Sequence, residues 1–425
     1  MTADDVGRVP GMDEFAARAT TRLRAIDPLL PDAFPAGGAG RDEGCGARLE
    51  VGHGGNLAAF ATCRHNEPDP GEIDLSWGMA RRFELAPRVV GPDAATALDR
   101  LISLWREHLA SARGSDGDDT AAVITWPSRD IEGVAALQRH GLRPLAVVAI
   151  RPSAGARARQ DGASPHRDVA STRQDGSSPR PDGSSPRRDV ASPRQDGSSP
   201  RRGGRNPRQD GTSASTSGRM PRRAPERDTR IRRAGPADVD TIAAFGAEVA
   251  RFDAHFSGTP GRAGTLGALH REATRLVAPA ASGAAASGAG ASGAAASGGG
   301  ASEHPDTHGQ ADAGAAPWTW LAERNGEPVG VIATQRPDHA AWIAPMTRLA
   351  PVAYTVLGYV SPRERSGGVG AELADCLHAE VDASAVAATL LHYEQLNPYA
   401  APFWSRQGYR PLWTIWEARP ASSLR

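Results

Sequence analysis

Between Arg365 and Gly370 the chain reads R-S-G-G-V-G, an arginine followed by glycines at 367, 368 and 370. An apolar run ends just before it at Tyr359 and Val360. Apolar residues return after it at Val369, Leu373, Cys376, Leu377 and Val381, which is helical spacing. The pattern predicts a strand, a glycine-rich loop and a helix. At a helix start the first backbone N–H groups lack partners and the dipole is positive. Glycines let that backbone approach a ligand closely, and an arginine adds a planar fork for phosphate oxygens. The chemistry this predicts is capture of a phosphate or diphosphate by Arg365, Ser366, Gly367, Gly368, Val369 and Gly370. A second cluster follows at the end of the next predicted strand, Val386 to His392, where His392 and Glu394 could serve as proton acceptors. A lone histidine at a strand end is equally an ordinary hydrogen-bonded residue.

The loop is not a Walker sequence, since no Gly-Lys-Ser/Thr follows, and it lacks the frame of a dinucleotide fingerprint. It resembles the R/Q-x-x-G-x-G/A loop of the GCN5-related N-acetyltransferases, which holds the pyrophosphate of acetyl-CoA. The stretch N-P-Y-A-A-P-F-W-S-R-Q-G-Y, Asn397 to Tyr409, is similar to that family's N-x-x-A-x-x-F/L-Y-x-x-x-G-F/Y segment. The resemblance covers residues 229–420. It implies an acetyl-CoA-dependent N-acetyltransferase acting by direct transfer to a primary amine of a small molecule or peptide. It also implies that backbone groups at a bulge in the strand ending at Val360 hold the thioester carbonyl and that Asn397 contacts the pantetheine arm. Trp404 stands where the family often has a tyrosine acid, and an indole N–H gives up no proton at neutral pH. Tyr399, Ser405 or a water is left for that role. With Trp404 there, a non-catalytic acyl-CoA-binding or scaffolding module is the competing expectation.

The elements that must hold these residues are legible in outline. Asn325–Gly326 between two β-rich runs predicts a hairpin, and Asn397–Pro398 predicts a capped helix start. Val239, Ile242, Phe245 and Val249 form one helical stripe, and Leu266, Leu269, Ala273 and Leu276 a second. In the first part of the chain, helices are expected over 11–27 and after Pro92. Strands are expected at Ala47–Val51, Leu57–Arg64, Ile73–Trp77, Ala121–Trp126 and Leu145–Ile150, with Asp130 capping a short helix that Gly141 ends.

The two parts echo each other: FATCR (Phe60 to Arg64) matches IATQR, and LQRHGLRPL (Leu137 to Leu145) matches WSRQGYRPL. The first copy departs at its loop, where Pro92 removes a donor and Asp93 brings a carboxylate. The fold expected is α/β: two acetyltransferase-like units, each a mixed, mostly antiparallel sheet flanked by helices. The domains are 1–150, degenerate, and 229–425, with a disordered insert over 278–316 built on an ASGAA-type repeat. Between them, 151–228 repeats every seven residues with Pro or Gly in each unit and no regular apolar position, so it reads as a disordered linker rather than a coiled coil.

The 425 residues carry no net charge, and all 49 basic residues are arginine. The linker holds 17 Arg against 9 Asp plus Glu. That net charge of +8 suits a solvated spacer better than a nucleic-acid tether. Three scattered cysteines, an acidic N-terminus without an apolar core and no long apolar run predict a cytoplasmic protein free of the membrane. No metal is expected. His304 and His308 fall in the insert, and Cys45, Cys63 and His65 lack a fourth ligand.

Overall fold

The computed structural model describes residues 11–32, 47–53, 56–162, 228–278 and 316–425. The expected disordered stretches lie outside these residues over 163–227 and 279–315. In the first half, helix α1 (Met12–Ile26) precedes strands β1 (Arg48–His53), β2 (Asn56–Asn66) and β3 (Arg81–Val89). Helix α2 (Ala94–Ser111), β4 (Thr120–Pro127), α3 (Ile131–Arg139), β5 (Arg143–Pro152) and α4 (Ala154–Gly162) follow. The second half runs β6 (Thr229–Arg233), α5 (Val239–Ser257), α6 (Thr265–Val277), β7 (Trp318–Arg324), β8 (Glu327–Gln335) and β9 (Val352–Val360). It ends with α7 (Val369–Ala383), β10 (Ala388–Glu394), α8 (Ala400–Arg406) and β11 (Arg410–Ala418).

The mixed, mostly antiparallel character holds: among the described residues only β3–β4 and β9–β10 are parallel. The two expected sheets are one, however, in the order β1-β2-β3-β4-β11-β5-β10-β9-β8-β7-β6. The halves have traded last strands. β11 lies against β4 of the first half, and β5 lies against β10 of the second. The burial pattern gives the reason. β5 is buried continuously from Ala146 to Arg151, and β11 is buried at all but three of its nine positions. Strands closed on both faces belong at the centre of a sheet. Ion pairs fix the exchange at its ends. Arg410 Nη2 donates to Asp27, 1% exposed, at 2.8 Å, and Arg151 donates to both oxygens of Asp382 at 3.3 and 2.9 Å.

Two boundaries move, and one internal match shifts register. Ile73–Ser76 is a 3-10 turn, and the strand is Arg81–Val89, whose alternating Phe83, Leu85, Pro87 and Val89 are buried. Residues 151–162 complete β5 and form α4 instead of opening the linker. The FATCR–IATQR match is one residue out of register. Leu85 pairs Ile124 and Cys63, while Thr355 pairs Leu391 and Thr334. Ile124 and Leu391 are equivalent by the later match, so Cys63 corresponds to Thr334.

α7 packs on one face through Val369, Leu373, Leu377 and Val381, and α5 and α6 cover the other through Ile242, Phe245, Leu269 and Leu276. First-half residues steady that second layer. Arg262, between α5 and α6, donates to both Asp119 oxygens at 2.8 and 3.0 Å and to Gly78 O at 3.0 Å.

On α7, burial and the nearby Arg151 push the His378 imidazole down to about 4. Its unfolded value is near 6.5, so between these values the unfolded chain binds the proton that the folded chain refuses. Stability is therefore fully present above pH 6.5 and is lost as pH falls toward 4. Relative to wild type, His378→Leu should remove about 2 kcal/mol of the loss between pH 7.5 and 5, read by urea unfolding at both values. Equal pH dependence in the two proteins would refute this.

Candidate active site

β9 and β10 pair from Val352–Ala388 to Thr355–Leu391 and then part, although the strands continue to Val360 and Glu394. The opening between their C-terminal ends is where an open sheet of this kind takes a ligand. β9 also carries a bulge. Ala333 faces Leu357 and Thr334 faces Thr355, which leaves Val356 supernumerary. A bulge re-aims backbone groups, so Val356 stands outside the β8–β9 ladder. The counterpart pair β2–β3 runs without interruption from Ala59–Val89 to Asn66–Arg82, so β3 carries no such bulge.

The glycine loop leads from β9 to the start of α7. Ser366 has φ +63° and Gly368 φ +89°, a left-handed pair that turns successive N–H groups the same way. The first donors to close back on the loop are Ala371 and Glu372, both to Gly368 O at 2.9 and 3.0 Å. Among the described residues no N–H from Ser366 to Gly370 donates to another backbone group outside the regular elements. A Cβ on Gly370 would stand 3.1 Å from Phe403, so any larger residue there must displace that ring. Arg324 braces the loop from behind. It pairs with Glu364 and donates to Gly367 O at 3.3 Å and to Thr229 Oγ1 at 3.0 Å.

Arg365 is turned across the opening. Its Nε donates to Val360 O at 3.0 Å, and its guanidinium lies 5.3 Å from the Tyr399 ring centre and 5.5 Å from that of Phe252. Tyr399, 60% exposed, thus forms one wall of the mouth. Asn397 caps the helix start as expected, and both groups of its side chain are engaged. Its Oδ1 accepts from Tyr399 N and Ala400 N at 3.0 and 3.3 Å, capping α8, while Nδ2 donates to Asp253 at 2.9 Å. Trp404 is buried and lies flush against β9, since a Cβ on Gly358 would meet its ring at 2.9 Å. It packs edge-on with Phe403 and Tyr409, with centroids 4.8 and 5.2 Å away.

His392 and Glu394 project from the same face of β10, two residues apart, into different surroundings. The Tyr354 hydroxyl stands 3.1 Å from His392 Nδ1, and Trp342 stacks parallel to the ring. Burial pushes this imidazole down to about 4, so it is neutral at pH 7 and holds a proton weakly. Glu394 is 8% exposed, and its carboxylate has no hydrogen bond or ion pair among the described residues. Burial, with Asp253 and Glu417 nearby, pushes it up to about 8. Asp253 itself is raised to about 6 by burial.

Asp253 is the site residue that sequence reasoning missed. It lies four residues after Val249, where the α5 stripe calls for another apolar side chain. A carboxylate in that place was the signal. In the first half the same place holds an inverted pair: Arg22 of α1 bonds Asp130, the α3 cap, at 2.7 Å, and Pro127 replaces Glu394.

No family model and no curated protein matches the chain. Among solved structures it is similar to a GCN5-related N-acetyltransferase from Sphaerobacter thermophilus, with TM-score 0.41, 11% identity, and 96% of this chain and 91% of that one covered. It is also similar to a tandem GNAT protein from the clavulanic acid biosynthesis pathway, with TM-score 0.32, 11% identity, and 99% and 97% covered. A GCN5-related N-acetyltransferase from Kribbella flavida gives TM-score 0.33, 10% identity, and 96% and 98% covered. Among the described residues no three His, Cys, Asp or Glu side chains gather to hold a metal, and no helix is long and apolar enough to cross a membrane.

Proposed function

We propose that the second half binds acetyl-CoA at the start of α7 and transfers the acetyl group directly to a primary amine. The observation that carries this is the run of free N–H donors from Ser366 to Gly370 at the mouth of an opening whose edge holds the buried, unpaired Glu394. The diphosphate lies on the donor run, and Arg365 swings off Phe252 and Tyr399 to join it. Backbone groups at the Val356 bulge receive the thioester carbonyl. Trp404 closes the wall beside the pantetheine arm and keeps water out.

Glu394 is the base in this reading. As a carboxylate with its value near 8 it accepts one proton from the acceptor ammonium. The neutral nitrogen then attacks the acyl carbon, the C–S bond breaks, and coenzyme A leaves as a thiolate that takes up the second proton shed by the nitrogen as it becomes an amide. His392, with a value near 4, is too weak a base and serves to hold Tyr354. Asn397 acts through its cap and through Asp253.

The binding step is tested by calorimetry of the full chain with coenzyme A. Gly370→Val pushes a side chain into Phe403 and across the donors. It should lower affinity about tenfold or more, the value of one or two charge-assisted hydrogen bonds. Unchanged affinity in Gly370→Val would remove the reading. The second reading, a non-catalytic acyl-CoA-binding module, is favoured by Trp404 filling the place of the usual acid. Tight coenzyme A binding without thiol release across a panel of amines would select it.

A further inference from the structure

Cys63 and His65, the motif left over from the sequence, lie on the first half far along the chain from the α7 loop. Alternation along β2 puts both side chains on the face covered by α2, where Cys63 joins the core with Phe83 and Trp105. There they border a cavity of about 670 Å³. That volume suits a small organic molecule.

Its floor is apolar. Phe83, Trp105 and Leu109 form it together with Cys63, whose thiol burial pushes up to about 12 and so stays uncharged. The His65 ring stacks on Phe83 with centroids 4.9 Å apart, which makes one wall flat. The rim is basic, with Arg81, His108 and Arg113. The nearby acid Glu67 is already committed, since Arg81 donates to its two oxygens at 3.2 and 3.1 Å. The His108 and Arg113 side chains have no hydrogen-bond or ion-pair partner among the described residues.

We propose that this cavity is a binding site for a small aromatic anion. The ring lies along the His65–Phe83 wall, and the charge sits between His108 and Arg113. The flat apolar floor selects the ring, and the two uncommitted basic groups select an anion over a neutral isostere. This site stands apart from the α7 loop and does not depend on the function proposed for it.

The test is calorimetry of the full chain with benzoate, phenyl phosphate, benzyl alcohol and inorganic phosphate. Benzoate or phenyl phosphate should give saturable 1:1 binding. Benzyl alcohol and inorganic phosphate should bind about tenfold weaker or more, because each lacks one of the two recognised parts. The double variant His108→Ala/Arg113→Ala should lose about tenfold for the anions, and Ala112→Trp, which fills the cavity, should abolish binding. Gly370→Val should leave it intact, which separates this site from phosphate capture at the α7 loop. Absence of saturable binding by either aromatic anion, undiminished binding in both cavity variants, or equal binding of benzyl alcohol would each overturn the proposal.

Discussion

Produced alone, residues 228–425 should give no folded monomer. β11 has two neighbours in the sheet, β4 and β5, and both belong to the first half. β10 keeps β9 but loses β5, its partner from Ala388–Pro152 to Glu394–Ala146. The fragment therefore exposes one long buried edge and carries one unpaired buried strand, a combination that drives aggregation or exchange. The two halves share a plan, so one repair is open. Two copies of the fragment can each lay β11 beside the other's β10, as domain-swapped dimers do. Any folded material should thus be dimeric by light scattering, and mixing with residues 1–162 should convert it to a 1:1 complex. A folded 228–425 monomer by circular dichroism and light scattering would sink this prediction.

Glu394→Gln should reduce turnover about 10²–10⁴-fold, the range of a lost general base, with coenzyme A affinity unchanged. A carboxyl raised to about 8 is mostly protonated at pH 7, so kcat/KM should climb with pH and level off above 8. The variant should show no such limb. Asp253→Asn removes a negative neighbour, lets Glu394 ionise more easily and should move the limb to lower pH. The linked effect on stability has the opposite sign to that of His378. A folded value above the unfolded 4.5 costs stability as pH rises through 8, so Glu394→Gln should resist unfolding better than wild type at pH 9. Turnover within threefold of wild type would take the base role from Glu394, and an identical pH limb in the variant would do the same.

The donor run was readable because its chemistry is local. Three glycines, the end of a strand and the first helical turn lie within a dozen residues, and each speaks through its own backbone preference. The α8 cap was readable for the same reason, although Asn397 spends its oxygen on Tyr399 and Ala400 and its amide on Asp253. β3 was missed because Arg81, Arg82 and Arg88 break up an alternation that Phe83, Leu85 and Val89 nonetheless keep. The strand exchange was not legible at all. β5 and β11 satisfy the same hydrophobic demand in either position, and only packing across the whole sheet decides between them. The one-residue slip between Cys63 and Thr334 came from matching letters where hydrogen-bond register governs.

The strand that β5 lends to β10 reaches the end that bears Glu394: Ala146 faces Glu394, and Gln395 N donates to Leu145 O at 2.8 Å. Inheritance of the two copies is thereby tied together. A deletion that discarded the seemingly spent first copy would also strip the scaffold from beneath the carboxyl of the second. The first copy is held fast from Leu145 to Pro152, where its backbone pairs with β10.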